Sequence, residues 1–590
     1  MSLVGAEASV VTPLLCVPWV AAIALLITAW AFREGDEDAQ SWRCGVAIAL
    51  LVGGVVEVAG AFSTEALGGH RFEALGVTST PWTALVDACA AVLGALAIRG
   101  APHDPSSRGV ARSSPRRGVP LRAALGVVVA VSGCVHSTEF LGIVASLGVL
   151  VVSLFVAQRE GEDCGAEASL RAVLWCVLGL ALIFAGTSTL NLERLPSRMM
   201  MVFTRWGGAQ ERLADFRAGA EVLPGGLLAQ LRGEVIRGIA SASLALGGLF
   251  VLLAGILSLV GAFPFRLAGE EGSPCRGEGA GVLWMGAVIG GCALLVSLFL
   301  DPLHSPRMVR EPYGWVGVLP TIGALTVLVG AVRVVVSRDL RESARAVVQV
   351  GTGVFILSVA ASASFLGQAK YVPREAARRG AEEMWARVAA ESSLAGGIGM
   401  MVASLALACL VCVVVVRSRS SSPEVGDGTD GLTGLMGRSP VVAVSLLVGC
   451  ASFVGVAPGV GAEVWFDVYR GLGQHGGMAW TLAVVGTAHV CVGVGLARRL
   501  LVMFDEAPDS EGQRSASSMQ TASLWGALLA LCLLAGGPAT GALHTTAAAA
   551  ASGIGFVAGS TRRDQWTRAA VTPRLGADPE TSSAPAVERR

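Results

Sequence analysis

Leu394–Val416 reads LAGGIGMMVASLALACLVCVVVV and carries no charged side chain. A run of about 20 mainly apolar residues is what crosses the hydrocarbon core of a bilayer as a helix, because each backbone N–H and C=O is then satisfied inside the segment. This stretch reads as a spanning helix, and the rest of the chain repeats it. Comparable runs are Leu14–Phe32, Cys44–Phe62, Trp82–Ile98, Ala123–Val135, Phe140–Ala157, Ala172–Leu190 and Ile239–Phe263. They continue with Gly281–Leu300, Trp315–Val336, Ala346–Leu366, Pro440–Ala457, Met478–Leu496 and Leu524–Gly537. The expected fold class is therefore all-α, a polytopic membrane protein of about fourteen transmembrane helices.

Composition points the same way. The chain has 590 residues, 53% hydrophobic and 15% charged, with a mean hydropathy of +0.64. Soluble domains do not carry this apolar excess, so lipid is the solvent for most of the chain. The formal net charge of zero gives no reason to expect a nucleic-acid partner. The 13 cysteines are scattered through apolar runs without a paired framework and read as small core residues. That reading includes the C-x-x-C of Cys409 and Cys412. The N-terminus lacks a basic segment, and its first run is long enough to span, so it reads as a retained helix and not as a leader.

Basic residues set the expected orientation. They are nearly all arginine, Lys370 being the only lysine. Loops after the odd-numbered runs are the richer in arginine, which makes them cytoplasmic and places both termini outside. Arg99–Pro120 and Arg417–Gly437 read as polar loops, and residues from about Ser560 as a disordered tail. Asn191–Gly238 and Pro373–Glu391 mix arginine with apolar residues at helical spacing, so both are expected to lie along the membrane interface.

Two runs carry matching interruptions. The seventh ends in Gly261-Ala262-Phe263-Pro264-Phe265, and the twelfth breaks at Gly455-Val456-Ala457-Pro458-Gly459. Each is the fourth of five runs, and paired Pro/Gly breaks at equivalent places suggest inverted repeats with unwound helices near the midplane. The expected organisation is helices 1–3 in residues 1–120, a first five-helix repeat in 121–300 and a second in 301–505. Helix 14 with its following segment would fill 506–559, and a tail 560–590.

At this point the chain resembles a family: subunit N of bacterial proton-pumping NADH–quinone oxidoreductase (respiratory complex I), related to subunits of multi-part cation/proton antiporters. Phe140-Leu141-Gly142 is similar to the family's F-L-G-L-E, and Pro264-Phe265 to its P-F-H. Gly431-Leu432-Thr433-Gly434-Leu435-Met436-Gly437-Arg438-Ser439-Pro440 resembles the lead into its span 12. Ser452-Phe453-Val454-Gly455-Val456-Ala457-Pro458 resembles its S-L-A-G-I-P-P, and Leu482-Ala483-Val484-Val485-Gly486 with Arg499 fits its span 13. The likeness covers roughly residues 10–545. It implies a membrane-arm subunit in the bacterial inner membrane, coupling electron transfer from NADH to quinone with proton translocation. It also implies partners, the other membrane-arm and peripheral-arm subunits. NADH, flavin, iron–sulfur clusters and quinone would be bound there, with no cofactor, metal or redox-catalytic residue on this chain.

The family moves protons along a midplane row of ionisable residues, and the row does not carry over. Its span 5 glutamate falls on Val144, its span 7 lysine on Leu259, and the histidine of P-F-H on Arg266. The span 8 lysine falls near Gly291, the span 10 histidine near Gly351, and the span 12 lysine on Trp465. Other polar groups stand in or near the runs, and ionisable residues inside a membrane are by default functional candidates. The proton-path candidates are Glu57, Asp87, His136, Glu139, Glu463, Asp467 and His489, with Gln349 as a further polar group. Glu463 and Asp467 are four apart, on one helical face after the break, where two carboxyls could share a proton. The alternative is that both are solvated at the membrane edge. His136 and Glu139 read as solvated turn residues, and Glu57 and Asp87 as hydrogen-bonded structural groups. Gly471-Leu472-Gly473-Gln474-His475-Gly476 matches G-x-G-x-x-G, but it follows a membrane helix and reads as a loop. Three functions remain open: an oxidoreductase arm subunit, a stand-alone secondary transporter, and a non-transporting scaffold of the same fold.

Overall fold

The computed structural model describes residues 38–66, 73–74, 77–78, 81–99, 120–136, 140–160, 166–192, 242–265, 278–296, 315–337, 340–371, 379–419, 432–474, 478–505, 541, 543–544 and 546–547. The first and last expected spans, residues 193–238, most of both polar loops, Glu139, Arg266 and the tail lie outside the described residues.

Twelve of the expected spans meet helices. They are α1 (Asp38–Ala66), α2 (Pro81–Arg99), α3 (Leu121–His136), α4 (Phe140–Glu160), α5 (Ala166–Leu192) and α6 (Ala242–Val260). There follow α7 (Glu278–Leu294), α8 (Trp315–Val336), α9 (Leu340–Tyr371), α10 (Arg379–Arg419), the one-turn α11 (Leu435–Arg438), α12 (Pro440–Phe453), α13 (Val460–Gln474) and α14 (Ala479–Leu501). Among the described residues, Gly317–Val336, Leu340–Phe365, Val388–Cys412 and Ala479–Phe504 are long and apolar enough to cross a membrane. Eight further helices carry apolar stretches of 10–17 residues within the described residues. One departure from an all-helical chain is a two-residue antiparallel ladder between α1 and α2, β1 (Glu73–Ala74) with β2 (Val77–Thr78).

The helix α9 is buried along its apolar length and packs against both α8 and α10. A helix apolar all round belongs inside such a bundle. Lipid tails are as apolar as leucine, so helices in a membrane associate through close backbone approach at small residues. That is the device used here. A Cβ on Gly255 of α6 would lie 2.7 Å from both Gly179 O and Ile183 N of α5, and one on Gly353 of α9 would lie 2.7 Å from Val327 N of α8.

The helix α10 corrects one expectation. Its 41 residues run unbroken from Arg379, so the later part of Pro373–Glu391 is the start of span 11 and not a separate interfacial piece. At 1.5 Å per residue the helix is about 60 Å long, about twice the thickness of a hydrocarbon core. Its extension is held by Ala389 and Ala390, buried with Phe365 of α9. The glycine-rich match at Gly471 is likewise corrected: Gly471–Gln474 is the last turn of α13 and not a loop.

The two breaks share one geometry. Gly261 sits at φ +66° and Gly455 at φ +92°, in the left-handed region that glycine alone enters without strain. Gly261 N donates to Ser258 O, Ala262 N to Leu257 O, and Phe265 N to Ala262 O. At the second break Gly455 N donates to Ser452 O, Val456 N to Ala451 O, and Gly459 N to Val456 O. The three bonds correspond one to one at a constant offset, which also aligns Pro264 with Pro458 and Leu259 with Phe453.

Candidate functional site: the broken helices

A break inside a membrane frees carbonyls that must find donors. In a continuous helix the Val454 carbonyl would accept from residue 458, but Pro458 has no N–H. His489 of α14 takes its place, with Nε2 2.8 Å from Val454 O. A carbonyl oxygen only accepts, so Nε2 carries the hydrogen, and Nδ1 accepts from the Tyr469 hydroxyl at 2.8 Å. The Phe453 carbonyl is capped by Trp465 of α13, whose Nε1 donates to it at 2.8 Å. The Trp465 and His489 rings stack with centroids 3.9 Å apart and planes 8° apart. Phe453 closes the edge of Trp465 at 6.5 Å, and Tyr469 lies 5.8 Å from it. Trp465 is buried at 2% exposure. The position where the resemblance expects a lysine therefore holds a neutral donor already engaged to a carbonyl, and His489 uses both its nitrogens.

The first break is closed differently. Phe263 N donates to Thr326 Oγ1 of α8 at 2.9 Å, and Ser258 Oγ donates to Trp175 O of α5 at 2.8 Å. Leu259 is 1% exposed and packs against two glycines. A Cβ on Gly291 would come 3.2 Å from Leu259 Cβ and 2.6 Å from Val260 Cγ1, and one on Gly179 would come 3.1 Å from Leu259 Cδ2. The expected lysine positions of spans 7 and 8 are thus brought together, as apolar packing and not as charges. Gly351 packs against Ser404 and Met400 O, and Val144 is half-buried on α4.

The remaining candidates separate. Asp87 and His136, read as unrelated, are bonded to each other: Asp87 Oδ2 lies 2.5 Å from His136 Nε2. His136 is the buried last residue of α3 and not a solvated turn residue. Glu463 and Asp467 differ in burial. Glu463 is exposed, whereas Asp467 is 8% exposed and engages His544 Nε2 at 2.9 Å. Gln349 accepts from Arg333 Nη1 at 3.1 Å. Glu57 lies on α1, and its side chain is outside the description. Cys409 is buried with its Sγ 3.9 Å from Met285 Sδ, the packing of a small apolar residue.

Sequence reading missed Tyr469, Thr326, Ser258 and His544. For the first three a signal existed: each Pro/Gly break leaves carbonyls or amides needing partners, so polar side chains within a turn or two, or on the next span, are candidates. For His544 there was none, because its pairing with Asp467 spans 77 residues.

A bundle of long, close-packed apolar helices, two of them broken at Gly and Pro in one geometry, defines the class: a polytopic membrane protein of transporter-like fold. The chain matches no protein-family model and no curated protein. Solved structures do match. A chain of respiratory complex I from Thermus thermophilus with bound aureothin aligns at TM-score 0.57 and 15% identity over 90% of this chain and 99% of that one. A chain of the Mrp complex from Dietzia sp. DQ12-45-1b aligns at TM-score 0.63 and 13% identity over 94% and 98%. A chain of the membrane-bound sulfane sulfur reductase, an archaeal respiratory membrane complex, aligns at TM-score 0.62 and 14% identity over 93% and 99%. The protein has the fold of these chains, the antiporter-like fold that its sequence resembles.

Proposed function

We propose that the chain is a membrane-arm subunit of a respiratory NADH–quinone oxidoreductase, built on fourteen spans in two inverted five-helix repeats. In this reading its own route through the broken helices is closed, and it serves the arm as a structural segment. NADH, flavin, iron–sulfur clusters and quinone belong to partner subunits, and both termini lie outside the cytoplasm of a bacterial inner membrane. The observation that carries this is the second break. The family's lysine position is occupied by Trp465, whose only side-chain polar atom caps a backbone carbonyl, and His489 beside it is bonded to the Val454 carbonyl and the Tyr469 hydroxyl. A proton path needs groups that gain and lose protons in turn, and the indole of Trp465 does neither where the family has a lysine. The first break supports the same reading through the contact of Leu259 with the Gly291 position.

The test has two parts. Affinity purification of the tagged chain from its native membranes is expected to bring other oxidoreductase subunits with it, and recovery of the chain alone would refute the assignment. In the assembled complex, Trp465→Phe is expected to leave the proton-to-electron ratio unchanged, and a lowered ratio would show that the break conducts. A second reading, a cation transporter outside any oxidoreductase, draws on the likeness to the Mrp chain. Co-purification separates the two, because the partners would then lack redox subunits.

A further inference from the structure

The helices α8, α9, α10, α13 and α14 each run antiparallel to the next. Gly323 meets Leu357 while Gly330 meets Val350, and Trp465 meets His489 while Gly473 meets Leu482. Four reversals leave α8 and α14 parallel, and the two pack side by side. They touch at Gly495, where a Cβ would lie 2.9 Å from Val334 O. Arg498 and Arg499, in the last turn of α14, follow about 5–6 Å further on, level with the end of α8. Arg333 in the last turn of α8 and Arg341 and Arg345 in the first turns of α9 join them at the same end. The acidic residues described there are Glu342 and Asp505, both exposed. Arginine near a helix C-terminus suits the dipole and the membrane edge, which accounts for the charge. It does not account for Arg499 Nε, which is buried with no acceptor among the described residues. Arg333 is spent on Gln349, and the hydroxyls of Ser337 and Ser343 are bonded to each other at 2.6 Å. A buried donor without an acceptor is costly, and at the edge of a bilayer the abundant acceptor is a lipid phosphate. Beside it the seam presents Val332, Val336, Val494 and Leu501, each more than half exposed, a flank on which acyl chains can lie.

We propose that the α8–α14 seam binds an anionic phospholipid, with its phosphate on Arg498 and Arg499 and its chains along Val332, Val336 and Val494. A guanidinium offers a phosphate a planar fork of donors, and basic pockets between membrane helices hold anionic head groups. A zwitterionic lipid has the same phosphate but adds a cation that these arginines repel. The site uses none of the residues at the two breaks, so it does not depend on the function proposed above.

The full-length chain, purified in a neutral detergent, is titrated with phosphatidylglycerol and separately with phosphatidylcholine of the same acyl chains. Bound lipid is counted by native mass spectrometry. The expected result is that phosphatidylglycerol is retained in preference. Arg498→Gln with Arg499→Gln is expected to weaken its retention about 25-fold, about fivefold for each basic residue. Arg43→Gln with Arg470→Gln removes the same charge elsewhere and is expected to change nothing. Should the glutamine pair at the seam fail to fold, Arg498→Lys with Arg499→Lys keeps both charges and is expected to lose only the fork, binding within about fivefold of the unaltered chain. Equal retention of the two lipids would overturn the proposal, as would an equal loss in the Arg43/Arg470 variant. Displacement of phosphatidylglycerol by millimolar inorganic phosphate would make this a site for a soluble anion and overturn the lipid assignment.

Discussion

Replacing Leu259 by lysine restores the charge that the resemblance expects at the first break, and the structure sets its cost. Leu259 is 1% exposed between Gly179 and Gly291. Both glycines close directly on its side chain, and neither can pair with a cation. An ammonium at the centre of a membrane helix costs about 2.5–3.5 kcal/mol. The longer side chain adds overpacking, typically about 1–3 kcal/mol, against a site with no spare volume. Together these come to about 3.5–6.5 kcal/mol, comparable with the low end of a typical domain's stability, about 5–15 kcal/mol. Leu259→Lys is therefore expected to cut the amount of membrane-inserted, assembled protein severely, while the volume-conserving Leu259→Met accumulates normally. Both are read by quantitative immunoblotting of native gels from membranes. Normal assembly of the lysine variant would show that the first break can hydrate or pair a cation, and the closed-route argument would fail.

Trp465→Phe keeps the ring against His489 but leaves the Phe453 carbonyl without its donor. Its expected cost is about 1–3 kcal/mol, seen as a lower melting temperature of the purified protein, and an unchanged melting temperature would remove Trp465 as the cap. Gly255→Ala places a methyl against Gly179 O and Ile183 N, both backbone atoms that cannot rotate away. It should destabilise the α5–α6 pair by about 1–3 kcal/mol, measurable as faster unfolding in denaturing detergent. Ser107→Cys in a cysteine-depleted background should react with membrane-impermeant thiol reagents only from the cytoplasmic side. Labelling from outside would reverse the orientation taken from arginine placement.

Element by element, legibility tracked how local the deciding interaction is. Trp315–Val336 is bounded by polar residues at both ends and is the same in sequence and structure, because an apolar run in lipid has no alternative to a helix. Span 11 was legible only in its apolar part. Whether the polar stretch before Leu394 turns along the interface or continues the helix depends on Ala389 and Ala390 finding Phe365, a contact with another helix. Both breaks were legible because the need for glycine at positive φ and the missing N–H of proline are properties of single residues. The ionisable candidates were legible as residues and not as a site. Asp87 and His136 are 49 positions apart, and Glu463 and Asp467, adjacent on a helical wheel, differ in burial because α13 packs one flank on α10.

By itself the sequence determined the solvent, the helical class, most of the helix positions and the two places where helices stop. Backbone groups in lipid must be satisfied within a few residues, so local composition settles those matters. The tertiary structure alone decided which groups answer the freed carbonyls, that His489 and Trp465 stack at the second break, and that Leu259 meets the Gly291 position. It also decided that Asp87 pairs with His136 and Asp467 with His544. Side-chain pairing depends on which faces of distant helices are pressed together, and that is set by close approach at glycines such as Gly179, Gly255 and Gly353, whose partners no local pattern specifies.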